Sequence, residues 1–268
     1  MSLITLLTDF GGADYFVAAV KGVILSANPA ARIVDITHDI PPQDIEAAAF
    51  TLLAAYSSFP SETIHVAVVD PGVGSARRPI VMKLAEQYFV GPDNGIFSYV
   101  RENHENLGLT AELFHLTNEK YFRQPVSATF HGRDVFAPVA AALSRGVKLT
   151  ELATKTTDSV RLAPLRPTTA EDGKVTARII HVDRFGNCIT NLTQNDLTAE
   201  MIAVATLRVN GKSVKSFRSH FAEAVAGKQK LFAIWGSAGF LEIAATNESA
   251  ARILKARRGD SVIVSVSP

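Results

Sequence analysis

Partway along the chain the pattern of apolar residues changes in kind, and that change limits the folds open to it more than any other feature. Over residues 1–163, short β-rich runs alternate with helix-length apolar stripes, the mark of βα units around a largely parallel sheet. LITLLTDF, RIVDIT, TIHVAVVD, PIVMKL and YFVG read as strands. Between them, DYFVAAVKGVILSANP sets Phe16, Val17, Val20, Val23, Ile24 and Ala27 on one helical stripe, with Asp14 as its cap. A second helix starts at Asp44 and runs to Pro60, and a third begins near Asp134, a candidate N-cap, and stops at Gly146. Residues 164–173, rich in Pro, Thr and charge with no hydrophobic period, read as a linker. Beyond it, KVTARIIHVD, ATLRVNGKSV, KLFAIWGSAGFLEIAA and GDSVIVSV are strand runs joined by turn formers, notably Asn210-Gly211 and GSAG at 236–239. The expected class is α/β: an N-terminal α/β domain over 1–163, and a smaller all-β, barrel-like domain over 174–268.

Charge and cysteine usage remove several function classes. With 27 basic against 26 acidic residues and no long run of one sign, there is no footprint for nucleic acid or an anionic membrane. RRGD at 257–260 reads as a solvated turn. The opening MSLITLLTDFGG is interrupted at Asp9 too soon for a signal peptide, and no later apolar run reaches spanning length, so a cytoplasmic protein is expected. The single cysteine, Cys188, forbids an intramolecular disulfide and any Cys-based metal site. His38, Asp39, Asp70 and His131 are capable ligands, but none stands at a recognised spacing such as HExxH, and no metal is expected.

Two segments share one design, an apolar strand ending in an acid and then glycines: LLTDFGG at Asp9 and VAVVDPGVG at Asp70. Ligands of open α/β sheets bind beyond the carboxyl ends of strands, so both acids are candidates to face one crevice. Turn or helix capping explains an Asp before Gly or Pro equally well. GPDNGIF, which contains Asn94, packs turn formers after a strand. FHGRD gathers His131, Arg133 and Asp134 before a helix, where a neutral imidazole can exchange a proton with water or simply serve the structure. HVDRFGNCITNL carries Asp183 and Asn187 around a glycine, suited to a ribose or base, or to a β-turn. Ser237 in WGSAG lies between two strands and is no nucleophile elbow. GxGxxG and P-loop fingerprints are absent.

TDFGGADYFVAAVKG, VDITHDIPPQDIEAAA, VVDPGVGSARRP, GPDNGIF, TFHGRDVFAPVAA, VDRFGN and WGSAGFLEIA occur in one order. In that order they resemble the S-adenosylmethionine hydroxide adenosyltransferase family, itself similar to the fluorinase and chlorinase that make adenosyl halides. The likeness runs from Thr8 to about Ala245. It implies a Rossmann-like N-terminal domain, a C-terminal β domain and a homotrimer, with active sites between the N-terminal domain of one subunit and the C-terminal domain of its neighbour. It implies hydrolysis of S-adenosylmethionine at the ribose C5′ to adenosine and methionine, with no cofactor. Asp70, Arg77 and His131 would surround the attacking water, and Asp9 would accept from the ribose hydroxyls. Asp183 and Ser237 would hold the methionine ammonium and carboxylate, Asn187 would reach the adenine, and Phe130 would line the base pocket; Asn94 joins the substrate-binding set. The halogenating branch carries an aromatic residue in place of Asp70, and its fluorinase members a Tyr and a Ser where this chain has His131 and Gly132. A related fluorinase sets a Trp against the ribose where this chain has Gln43. The competing expectations are adenosyl-halide synthesis and non-catalytic binding of S-adenosylmethionine or a nucleoside.

Overall fold

The first apolar run becomes the middle of a sheet because it is apolar at nearly every position. In the computed structural model, which describes residues 3–171, 174–223 and 230–266, β1 (Leu3–Thr8) sends alternate side chains to opposite faces. Ile4 and Leu6 enter a core with Val20 and Ile24 of α1 (Phe16–Ala27). Leu7 enters a second core with Ala47, Ala48 and Leu52 of α2 (Ile45–Tyr56). A strand covered on both faces has little room for polar residues, which is why it reads as a near-continuous run.

β1 lies between β2 (Arg32–Thr37) and β3 (Ile64–Val68), parallel to both, and β3 is parallel to β5 (Gln87–Pro92). β4 (Pro79–Leu84), β6 (Glu112–Leu116) and β7 (Ala153–Thr156) extend the sheet antiparallel, giving the order β2-β1-β3-β5-β4-β6-β7. The reversal comes from a tight hairpin through Ala85 and Glu86, where Ala85 has φ +48°. α3 (Ser98–Asn106) packs beside α2, and α4 (Ala137–Ser144) beside α1; α5 (Leu149–Leu152) is a single turn before β7.

Capping follows the sequence at one helix and departs from it at two. Asp44 caps α2, its side chain accepting from the Ala47 N–H at 3.0 Å. At α1 the N-cap residue is Tyr15 and no side chain caps it, so Asp14 does not have the role expected of it. Nor does Asp134 cap α4. A π-helical turn, Gly132–Phe136, precedes that helix, and Asp134 lies inside the turn with no exposed surface.

The chain divides between Pro164 and Leu165 into two units. In the second, β8 (Thr168–Thr169) falls within the segment read as linker and pairs with β9 (Val175–Val182). Asp172 and Gly173, the end of that segment, lie outside the described residues. There follow β10 (Cys188–Thr193), α6 (Ala199–Val204), β11 (Ala205–Val209), β12 (Lys212–Val214) and β13 (Phe217–Arg218). β14 (Leu231–Trp235), β15 (Phe240–Ala245), α7 (Ala250–Leu254) and β16 (Ser261–Val266) complete the unit. The strands run in the order β12-β11-β16-β9-β10-β15-β14-β13, antiparallel except for the last pair, and curl into a half-barrel. Ile179, Leu192, Leu207, Leu241 and Val264 fill its core. Asn210 and Gly211, at φ +48° and +78°, make the two-residue turn between β11 and β12 that their sequence predicts.

Candidate active site

The parallel pairing of β1 with β3 sets Thr8 beside Val68, so the chain leaves both strands at one edge of the sheet. Asp9 follows immediately and Asp70 two residues later, and both line a cleft of about 250 Å³ with Phe10, Gln43, Phe130 and His131. The expectation that the two acids face one crevice describes what the sheet register produces.

The loop after Asp70 folds back on itself. Val73 N–H donates to Asp70 O at 3.1 Å and Ser75 N–H to Gly72 O at 3.1 Å, two turns that return Arg77 to the carboxylate seven residues earlier. Arg77 Nε donates to Asp70 Oδ1 and Oδ2, each at 2.9 Å, and Nη2 also donates to Oδ2. The same Nη2 lies 2.7 Å from His131 Nδ1. The Arg77 side chain is 9% exposed and that of Asp70 5%, so the ion pair is largely shielded from solvent, and the guanidinium rests 5.3 Å from the centre of the Phe136 ring. Arg77 Nη1 is buried without a hydrogen-bond partner among the described residues.

An arginine offers only donors, so His131 Nδ1 must accept, and the ring is neutral with its hydrogen on Nε2. Burial, and then the Arg77 charge, hold the His131 pKa below its ordinary 6.5 against the opposing pull of Asp70 and Asp134. Asp134 fixes the segment that presents this ring. Its carboxylate accepts from Arg133 Nε at 2.7 Å, from the Ser127 N–H at 2.9 Å and from Arg123 Nη1 at 3.2 Å. Burial acts to raise the Asp134 pKa, but these donors hold it below the usual carboxylate range. Phe130 packs edge-on against Phe10 and Phe16 with the Arg133 guanidinium over its ring.

Asp9 Oδ2 accepts the Gln43 N–H at 2.8 Å, and Gln43 adopts φ +65°, an uncommon conformation for a residue with a side chain. Asn94 is committed elsewhere. Its Nδ2 donates to Val69 O at 2.8 Å and its Oδ1 accepts from Ile96 N at 3.2 Å, and it is not among the residues lining the cleft.

In the second unit, Asp183 organises the turn between β9 and β10. Its Oδ1 accepts from the N–H groups of Phe185 at 2.9 Å and Asn187 at 2.8 Å, and its Oδ2 from Asn187 Nδ2 at 2.9 Å. The β-turn reading of VDRFGN is therefore correct as local structure. Gly186, at φ +85°, packs against Ser249, the cap of α7. Asn187 lines a shallow hollow with Phe185 and Phe221, which are 79% and 57% exposed. Neither aromatic stands out in the sequence as a site residue: Phe185 falls in a segment that reads equally as a turn, and Phe221 belongs to no motif. Ser237 lies at the turn between β14 and β15; nearby, burial and the Asp183 charge push the Glu242 pKa up. Burial likewise raises the Cys188 thiol to about 12, which disqualifies it as a nucleophile. Among the described residues, no group of three or more His, Cys, Asp or Glu side chains could hold a metal, and no helix is long and apolar enough to cross a membrane.

Residues 4–153 match the family described as SAM hydroxide adenosyltransferase N-terminal domain, and residues 177–263 match SAM hydroxide adenosyltransferase C-terminal domain. The chain is 36% identical over 268 residues to the (R)-S-adenosyl-L-methionine hydrolase of Methanocaldococcus jannaschii, covering 95% of this chain and 92% of that protein. It is 27% identical over 230 residues to a fluorinase of an Actinoplanes species, covering 76% of each. Its fold matches the crystal structure of an uncharacterized conserved protein from Thermotoga maritima with a TM-score of 0.87 at 36% identity, over 97% of this chain and 99% of that one.

Proposed function

The chain belongs to the SAM hydroxide adenosyltransferase family, and from that premise we propose that it is an S-adenosyl-L-methionine hydrolase, releasing adenosine and L-methionine by attack of water on the ribose C5′. The observation that carries the reading is the single guanidinium joining Asp70 to His131 at the cleft. A sulfonium needs no acid to expel it: as the C5′–S bond breaks, its electron pair stays on sulfur and methionine leaves as a neutral thioether. No cofactor is required for that step. The demanding part is the water, which must be held in line with the breaking bond and relieved of a proton.

Asp70 and His131 divide that work. His131 Nδ1 is occupied by Arg77, so the imidazole offers a donor at Nε2 and takes one lone pair of the water oxygen. Asp70 Oδ2 takes two bonds from Arg77 but Oδ1 only one, so Oδ1 keeps a lone pair with which the carboxylate accepts the water proton. The second lone pair of the water forms the new C5′–O bond. Arg77, always cationic, orients both partners and is no base itself. Asp9 holds the ribose hydroxyls and Phe130 bounds the base. In the assembly implied by the family resemblance, the second unit of a neighbouring copy brings Asp183 and Ser237 to the methionine ammonium and carboxylate and Asn187 to the adenine, and the exposed faces of Phe185 and Phe221 suit a stacked base. The same Asp70 charge disfavours halide as nucleophile, since an anion would have to desolvate beside it. The assembly proposed is the homotrimer implied by the family resemblance, and the compartment, given one unpaired cysteine, the cytoplasm.

Turnover in oxygen-18 water, with and without chloride, tests the reading. Adenosine carrying the label at its 5′ oxygen is the expected product by mass spectrometry. A 5′-chloro nucleoside would assign the chain to halide transfer, and tight binding without turnover would make it a binding protein. The pH profile tests the division of roles. Protonating His131 sets a hydrogen on Nδ1 against Arg77 Nη2, so kcat/KM falls as pH drops, with an apparent pKa under 6.5. An acid limb above that value would assign the titration to another group.

A further inference from the structure

A second chain of polar groups runs beneath Asp9 and takes no part in handling the water. Thr8 is almost wholly buried; its Oγ1 accepts the Phe10 N–H at 3.2 Å and shares a second hydrogen bond with His38 Nδ1 at 2.8 Å. His38 Nε2 faces Asp35 Oδ1 across 3.1 Å, and Asp35 is in turn paired with Lys21 Nζ at 2.6 Å. The backbones are joined in the same place: Gly11 N–H donates to His38 O at 2.8 Å and Ile40 N–H to Thr8 O at 3.4 Å. Further along the β2 loop, the Gln43 N–H holds Asp9 Oδ2. Residues 8–11 and 38–43 thus form one clamp around a single carboxylate.

We infer that Thr8 and His38 are positioning residues for Asp9, aligning its carboxylate with the ribose hydroxyls and setting the enzyme's preference for an adenosyl sulfonium that has them. Neither side chain is among those lining the cleft. The Thr8 hydroxyl holds the N–H that follows Asp9, and His38 holds the Thr8 hydroxyl in the rotamer that does so. Asp9 has the same contact to make before and during reaction, because the ribose hydroxyls do not change as C5′ reacts. Misalignment therefore weakens binding of substrate and transition state alike, a loss read in KM and not in kcat.

This inference rests on Asp9 being the ribose carboxylate, and the experiment separates the two. Thr8→Val and His38→Leu each remove the hydrogen bond at similar volume, and each is expected to raise KM for S-adenosylmethionine about tenfold with kcat within about threefold. Thr8→Ser and His38→Asn, which keep a hydroxyl and a group able to accept or donate near Nδ1, are expected to bring KM back to within about twofold of the parent. With the 2′,3′-dideoxy analogue, and in an Asp9→Asn background, the Thr8→Val effect should disappear, as two steps of one contact do in a double-mutant cycle. A general structural defect would instead raise KM equally for both substrates, and that result overturns the inference. So does an unchanged KM in Thr8→Val and His38→Leu while Asp9→Asn raises it. An unchanged KM in Asp9→Asn brings down both readings. Should the Thr8 variant not fold, the two His38 variants decide the question by the same measurements.

Discussion

Asparagine in place of Asp70 lowers kcat by about a hundred- to ten-thousand-fold and leaves KM within about threefold, the range that general-base assistance supplies. The substitution keeps the size of the side chain and an oxygen able to accept from Arg77, but an amide cannot take a proton from water. His131 stays fixed by Arg77 Nη2, so the donor side of the water site survives and the acceptor side alone is lost. Burial makes the effect severe. With the side chains of Asp70 and Arg77 at 5% and 9% exposure, bulk water has little access to stand in as the base. Steady-state kinetics on the folded variant, checked by circular dichroism, reads the result. A rise in KM with kcat preserved would make Asp70 a substrate-binding group and move the proton acceptor elsewhere.

The parts of this arrangement that a sequence discloses are those fixed by local pattern. β1 and β3 are legible because a strand buried on both faces must be apolar nearly throughout, and the acid that ends such a run stands out for the same reason. Of the antiparallel half of the sheet only β4 is legible, as PIVMKL. Its hairpin turns on Ala85 and Glu86, neither a turn former, and β6 and β7 are too short and too mixed, as ELFHL and ATKT, to separate from loop. Asp14 and Asp134 both satisfy the sequence rule for a cap, yet neither caps a helix. At Asp134 the reason is plain: Arg133, Arg123 and the Ser127 N–H together offer a buried carboxylate more than a helix end does. The roles of Asp70, Arg77 and His131 entered through family resemblance. That one guanidinium nitrogen touches both partners, and so decides which of them donates, is a property of geometry that no spacing encodes.

Alanine at Gly74 is expected to cost roughly 2–4 kcal/mol of stability and to lower the melting temperature by roughly 5–10 °C, with kcat falling at least about tenfold. Two penalties coincide at this residue. Its φ of +77° lies in the left-handed region, and a Cβ there would stand 2.3 Å from the carbonyl oxygen of Ala128. The neighbour is backbone and cannot swing aside as a side chain tip would, so one of the two chain segments has to move. Residue 128 leads directly into Thr129, Phe130 and His131, while Gly74 lies in the loop that returns Arg77 to Asp70. Relief of the contact therefore separates the two halves of the water site, and the 2.7 Å approach of Arg77 to His131 is the first casualty. Gly72, two residues earlier in the same loop, provides the control. A Cβ there meets Ser75 Oγ at 3.4 Å and Arg77 Cγ at 3.5 Å, ordinary contact distances, with no positive φ, so Gly72→Ala should cost less than about 1 kcal/mol. Thermal unfolding and kcat measured on the two variants side by side test the argument. Equal losses in both would mean that the loop tolerates no side chain anywhere, and the contact between Gly74 and Ala128 would then hold no special place in assembling the water site.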